Sequence, residues 1–408
     1  MLQYQNVKAT HLGAFSIFFF WLACIYDPVG QLFAIKFVAI GMLYVYMGLR
    51  FVVLGFPRLL DNLYMFTLAL FCIVLPVYGL ALSAFRGGFS GGVFSDTSYV
   101  SSAVYMGCTL LYVIPAYYQV AYKALVFSLR SLCVVIWIGF LLLSLNIDSG
   151  FLDFFVSNGA AYIGSRNYAG IDFFYIYFVA SPMLILLLCK ECWGFFERKT
   201  FRGLALVFFV AGALFFSGTR ASIIMSVAAP LIVLLWSKYG AKSLFLWLLM
   251  MTLFSPIIAI FDLPLISDMF SAKEASNSEK IGYLSTYLSL LNLPGTLWFG
   301  QGFNAHVWSE AVFKMLPEGA SKTELTYLEM IRVFGVFGLV ALVYVLFKLT
   351  SSAKISTSYY PWVGPSVFLY ALMSSINPYI FSSNGMLVIG FAAGACLHHR
   401  NKIVACSA

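Results

Sequence analysis

Arg220 is the first residue whose setting suggests chemistry. It sits in Ser217-Gly218-Thr219-Arg220-Ala221-Ser222, a short polar step between two apolar runs. Arg202 and Lys238 flank those runs, each eighteen residues from Arg220, which is about 27 Å of helix at 1.5 Å per residue. The two flanking cations can therefore share one membrane face while Arg220 reaches the other. A guanidinium at that depth costs free energy unless it is paired or faces a wet cavity. The helix that begins at this step also offers its N-terminal N–H groups to an anion. Together these features suggest a phosphate site. An interfacial arginine snorkelling to lipid headgroups explains the same local sequence equally well.

Other candidates follow along the chain. Arg166, in Gly164-Ser165-Arg166-Asn167-Tyr168-Ala169-Gly170, again places an arginine and small residues just before an apolar run. Glu279-Lys280 and Pro294-Gly295-Thr296-Leu297-Trp298-Phe299-Gly300-Gln301-Gly302-Phe303 lie in a long polar segment, where the glycines suggest tight backbone geometry close to a ligand. His306 follows as a candidate base. In Thr323-Glu324-Leu325-Thr326-Tyr327-Leu328-Glu329-Met330-Ile331-Arg332-Val333-Phe334-Gly335, Glu324 stands where the segment enters a helix. With a raised pKa it could accept a proton from a hydroxyl. Glu329 and Arg332 fall inside that helix at i, i+3, where they either serve a functional site or simply pair with each other.

The elements that must position these residues are hydrophobic helices. Of 408 residues, 62% are hydrophobic and 10% charged, and mean hydropathy is +0.92. A soluble domain carries about 25% charged residues, so soluble enzymes, disordered scaffolds and secreted disulfide modules are excluded. Long unbroken apolar runs also exclude the alternating strands of outer-membrane barrels. The net charge of +8 is explained by cytoplasmic loops rather than by nucleic acid. The eight cysteines fall in apolar runs or cytoplasmic loops, so a disulfide framework is not expected. The lone Cys189-x-x-Cys192 lacks a second pair and a βαβ context and is only weak evidence for zinc or redox chemistry.

About twelve spans are expected, near 12–27, 31–49, 62–84, 99–121, 126–146, 168–189, 203–218, 221–237, 243–261, 326–347, 359–377 and 384–397. With both termini inside, the inner loops hold fifteen Lys/Arg and three acids, and the outer loops seven Lys/Arg and about eleven acids. Residues 262–325, between spans nine and ten, form an ordered outer cap within a single integral membrane domain spanning 1–408. Short helices are expected there at 284–293 and 311–315.

The order of these motifs resembles the bacterial O-antigen polymerase and O-antigen ligase superfamily. An outer Arg-Asn near span six is followed by a Ser-Gly-Thr-Arg hairpin tip between spans seven and eight. A long outer loop then carries Pro294…Gly300-x-Gly302-Phe303, and the helix start runs from Glu324 through Tyr327 to Gly338. The likeness covers roughly 160–345. It implies an all-α, GT-C-like glycosyltransferase of the bacterial inner membrane with a periplasmic active site. The donor would be a glycan on undecaprenyl diphosphate, and transfer would invert configuration without metal or cofactor. Carried over, Arg220, Arg166 and Lys280 would hold the diphosphate. Lys280 replaces the arginine usual in relatives, so bidentate phosphate contact is not expected there. Asn167, Tyr327 and Arg332 would be further substrate contacts. Ligases carry a His-Asn-type pair where this chain has Glu324-Leu325, which favours a polymerase with Glu324, or failing it His306, as base.

The expected partners are a lipid-linked oligosaccharide, membrane lipid and a chain-length regulator, but no nucleic acid. A ligase of the same superfamily is the alternative within the class. A twelve-span transporter or lipid-linked oligosaccharide flippase is the rival outside it, although the chain shows no two equal six-helix halves.

Overall fold

The computed structural model describes residues 8–32, 34–55, 62–88, 97–147, 150–168, 171–240, 242–243, 275–315, 324–352, 360–375 and 377–407. The chain is a bundle of apolar helices. Among the described residues, five helices are long and apolar enough to cross a membrane, and four shorter apolar ones accompany them. Side chains such as Val52, Phe201, Phe208 and Phe347 are exposed on the outside of the bundle, an apolar surface that a water-facing protein does not present. The protein is membrane-embedded.

The first half of the bundle runs α1 (His11–Tyr26), α2 (Ile35–Leu54), α3 (Asn62–Phe85), α4 (Thr97–Cys108) and α5 (Pro115–Ser144). Thr10 caps α1 by accepting the Gly13 N–H. A π-turn over Leu70–Val74 interrupts α3 just before Pro76, and the proline, which has no N–H to donate, accounts for the widened turn. The sequence reading placed a break between 121 and 126. The break lies at Ile114 instead, where a short 3-10 turn (Thr109–Val113) ends and Pro115 opens α5 at its first position. Lys123 and Arg130, expected in a loop, therefore lie inside a 30-residue helix.

The second departure follows a short helix α6 (Gly150–Ser157). Where a sixth span was expected from 168, the chain forms an antiparallel hairpin of β1 (Ala161–Tyr168) and β2 (Ile171–Phe178). Helix resumes only at α7 (Leu184–Arg198), after a 3-10 turn at Ser181–Met183. The run Ile171-Asp172-Phe173-Phe174-Tyr175-Ile176-Tyr177-Phe178 is β-branched and aromatic, a composition that suits a pleated surface better than a helix. The described residues are thus predominantly helical, with one small sheet among them.

Then come α8 (Phe201–Phe216), α9 (Arg220–Tyr239) and, after the expected span 243–261 (which lies, but for Ser243, outside the described residues), the long segment. That segment contains α10 (Ala275–Leu291), α11 (Pro294–Phe299), a 3-10 turn at Ala305–Val307 and α12 (Glu310–Met315). It has a small core of its own, with Tyr283, Tyr287, Leu290, Ala305 and Val312 packed against Leu325 and Leu328. The chain ends in α13 (Thr326–Ser352), α14 (Val363–Met373) and α15 (Ser383–Ser407).

The glycines of the long segment have a structural explanation. Gln301 N–H donates to Arg332 O at 2.6 Å, Gly302 N–H to Val333 O at 3.0 Å, and Phe303 N–H to Gly79 O at 3.3 Å. The segment is threaded between α3 and α13. Gly335 interrupts α13 with φ +72°, and a Cβ there would stand 2.0 Å from Trp298 O. A Cβ on Gly300 would stand 2.4 Å from Val333 O. The close approach expected of Gly300 and Gly302 is made to protein backbone, not to a ligand.

Candidate functional site

At the end of the bundle where α8 passes to α9, four separate pieces of chain enclose a cavity of about 600 Å³. The first wall is one face of the hairpin. Tyr162, Arg166, Tyr175 and Tyr177 line it, as alternation along paired strands requires when Tyr162 lies opposite Tyr177 and Gly164 opposite Tyr175. A Cβ on Gly164 would fall 2.5 Å from the Tyr175 hydroxyl, so glycine lets the phenol lie across β1. The Arg166 guanidinium rests over the Tyr175 ring, 5.2 Å from its centroid, a cation–π contact that orients the charge.

The second wall is the turn Gly218-Thr219. Gly218 has φ +72°, and a Cβ on it would lie 2.1 Å from Cβ of Tyr175. Hairpin and turn are therefore in direct contact. Thr219 is the N-cap of α9: its Oγ1 accepts the Ser222 N–H at 3.1 Å. The positive end of the α9 dipole thus faces the cavity. Arg220 is the first residue of α9 and half-buried beside Thr219. Its side chain is not among those lining the cavity.

Glu324 forms the third wall and Asn377, Pro378, Tyr379 and Ser382 the fourth. Helices α13 and α14 hold these last two pieces together. Thr326 donates its hydroxyl to Asn377 O at 2.9 Å, and Tyr327 donates its hydroxyl to Ala371 O at 2.8 Å. Tyr177 reaches the Tyr379 hydroxyl at 3.3 Å. Glu324 is half-exposed and ion-paired, with Lys280 Nζ 2.9 Å from its Oε2.

The structure therefore brings Arg166 and Glu324 into one cavity, with Lys280 at its edge and Arg220 one residue beyond its wall. Asn167 is exposed and does not line the cavity. Tyr327 spends its hydroxyl on α14. Arg332 and Glu329 form a mutual ion pair with side chains 1% and 2% exposed, and Tyr287 donates its hydroxyl to Glu329 at 2.5 Å. Of the two readings left open for this pair, the pairing is what the structure contains. His306 lies in the 3-10 turn, outside the cavity lining. Its imidazole is held below its ordinary pKa of 6.5, first by partial burial and then by the nearby Arg332 charge.

Sequence reasoning missed the tyrosines. Tyr162, Tyr175, Tyr177 and Tyr379 supply much of the cavity surface. The signal was present as the dense aromatic content of 171–178, which a search for apolar helices reads as one span. Against known proteins, the chain matches no family model and no curated sequence.

Proposed function

We propose that the protein is a surface-polysaccharide polymerase of the O-antigen type. It would transfer a glycan from undecaprenyl diphosphate onto the end sugar of a second lipid-linked repeat unit. The observation that carries this reading is the shared cavity. A cation oriented by an aromatic ring, the N-terminal end of a helix and a carboxylate face one another across about 600 Å³ at one end of a membrane bundle. Leaving-group departure calls for positive potential, and the acceptor calls for a base. The cavity offers both, among tyrosines suited to stacking on sugar rings.

In this scheme Arg166 and the start of α9 take the charge that develops on the departing diphosphate. Glu324, released from Lys280, removes the proton of the acceptor hydroxyl as that oxygen attacks the anomeric carbon. The bond from that carbon to the diphosphate oxygen breaks on the opposite face, so configuration inverts. Lys280 then belongs with Glu324 at the entrance rather than with the diphosphate. Arg220 contributes through the end of α9 that it opens. The twelve-span count, a GT-C-like arrangement, the inner membrane, cytoplasmic termini and a periplasmic cavity complete the proposal, supported by the apolar helices and the charge bias of the loops.

The reading is tested in cells whose own polymerase is deleted. The wild-type chain is expected to restore long surface polysaccharide, and Arg166→Ala and Glu324→Gln to leave only single repeat units at equal protein levels. Normal long chains from either variant would remove that residue from the mechanism.

A further inference from the structure

A separate group of charged residues lies toward the opposite end of α8, one helix length or about 24 Å from the Gly218-Thr219 turn. There Arg130 of α5, Lys190 and Arg198 of α7, and Arg202 of α8 line a second cavity of about 580 Å³. Two carboxylates share it. Glu191 takes Arg130 Nη2 at 2.8 Å and Lys190 Nζ at 2.9 Å on the same oxygen, and Glu197 Oε1 accepts the Trp193 indole N–H at 2.7 Å. Four cations against two carboxylates leave a formal excess of two positive charges. Tyr122, Trp193 and Trp362 also line this cavity.

Two apolar grooves lead from this chamber along the bundle. One, of about 500 Å³, shares Tyr122, Arg130 and Lys190 with it, adds Lys123 and Ser131 at its rim, and continues along α5 past Val126, Phe127 and Val134. The other, of about 490 Å³, shares Phe195 and runs between α7, α8 and α9 past Leu204, Phe208 and Val227. Phe127, Phe208 and Val227 are all exposed on the bundle surface. A cationic chamber with an apolar trough on either side has the polarity of a phospholipid, headgroup and chains together. A free anion has no use for the grooves. A zwitterionic lipid leaves the two excess charges unmatched, and basic pockets between helices at a membrane face favour anionic headgroups.

We propose that this end of the bundle is a binding site for an anionic glycerophospholipid. The phosphate sits among Arg130, Lys190, Arg198 and Arg202, and the acyl chains lie in the two grooves. A lipid with two phosphodiesters matches the charge excess and the paired grooves. The site is independent of the Arg166 cavity and of any activity assigned to it.

Native mass spectrometry of the full chain in detergent tests this with defined lipids. Diphosphatidylglycerol is expected to bind at least about tenfold more tightly than phosphatidylcholine of the same chain length. Arg198 and Arg202 are exposed, so Arg198→Gln with Arg202→Gln spares the fold and is expected to erase that preference. Lys238→Gln with Lys242→Gln, outside the chamber at the same end, is expected to keep it. Ala211→Trp, which fills the second groove, is expected to weaken binding with the charges intact. Equal binding of the two lipids, or a preference that survives the Arg198/Arg202 double variant, would overturn the proposal. Full displacement of the lipid by an equal concentration of inorganic phosphate would assign the chamber to a free anion instead.

Discussion

Lys280 Nζ lies 2.9 Å from Glu324 Oε2, and this contact holds α10 beside the mouth of the Arg166 cavity. Glu324 is half-exposed, and a pair that open to water contributes less than about 1 kcal/mol. Glu324→Gln is therefore expected to leave the thermal midpoint in detergent nearly unchanged while glycan lengthening falls by about 100-fold or more. Lys280→Met is expected to keep lengthening within a few-fold of wild type, because it frees the carboxylate without removing it. Equal losses in the two variants would mean that the pair, and not the base, is what matters.

The Glu329–Arg332 pair is expected to behave in the opposite way. Both side chains are almost fully buried, so removing one partner strands a charge. Arg332→Ala or Glu329→Ala is predicted to destabilise the protein by about 3–5 kcal/mol. Replacing both, with Glu329→Met and Arg332→Leu, is predicted to recover most of that. Tyr287→Phe, which deletes one hydrogen bond to Glu329, is expected to cost about 1–3 kcal/mol. Melting curves of the four variants check the pattern, and a double variant as unstable as the singles would contradict it.

Gly218 carries the contact between turn and hairpin. Its positive φ and the 2.1 Å a Cβ would leave to Tyr175 mean that Gly218→Ala must displace the ring on which Arg166 rests. A cost of about 1–3 kcal/mol is expected, with a loss of activity larger than that cost explains. Full activity with a lowered melting temperature would show that the Arg166–Tyr175 contact is not needed for turnover.

His306 gives a pH signature separate from catalysis. Its folded-state pKa lies below 6.5, so under acid conditions the unfolded chain takes up a proton that the folded chain refuses. Stability is expected to fall as pH drops from about 6.5 through the lowered value. It is expected to be indifferent to this group at higher pH. His306→Gln is expected to flatten that slope and to keep activity, since the ring lies outside the cavity. Loss of activity in His306→Gln at neutral pH would restore histidine as the base.

The helical bundle was legible because composition and apolar runs of membrane length determine it. The short helices expected near 284–293 and 311–315 appear as α10 (Ala275–Leu291) and α12 (Glu310–Met315), which bury apolar side chains in the small core of the long segment. The hairpin was not found. On hydropathy alone, Ile171 to Phe178 joins Leu184 to Leu188 in one run, and only its β-branched, aromatic content separates strand from helix. The break before Pro115 was missed because apolar side chains continue across it. The site was half legible. Arg166 and Glu324 stand out by charge against an apolar background, but that they share a cavity depends on pairing between distant segments. Arg332 stood out for the same reason, yet it is the partner of Glu329. A buried pair and a functional charge look alike in sequence, and only packing distinguishes them.

The most direct test is made with purified protein and an undecaprenyl-diphosphate-linked oligosaccharide as both donor and acceptor, with product length read on a gel. The wild-type chain is predicted to lengthen the glycan and release undecaprenyl diphosphate. Arg166→Ala is predicted to be slower by about 100-fold or more at an unchanged melting temperature. Undiminished lengthening by Arg166→Ala, or movement of the lipid-linked glycan across a bilayer by the wild-type chain with no bond formed, would contradict the account.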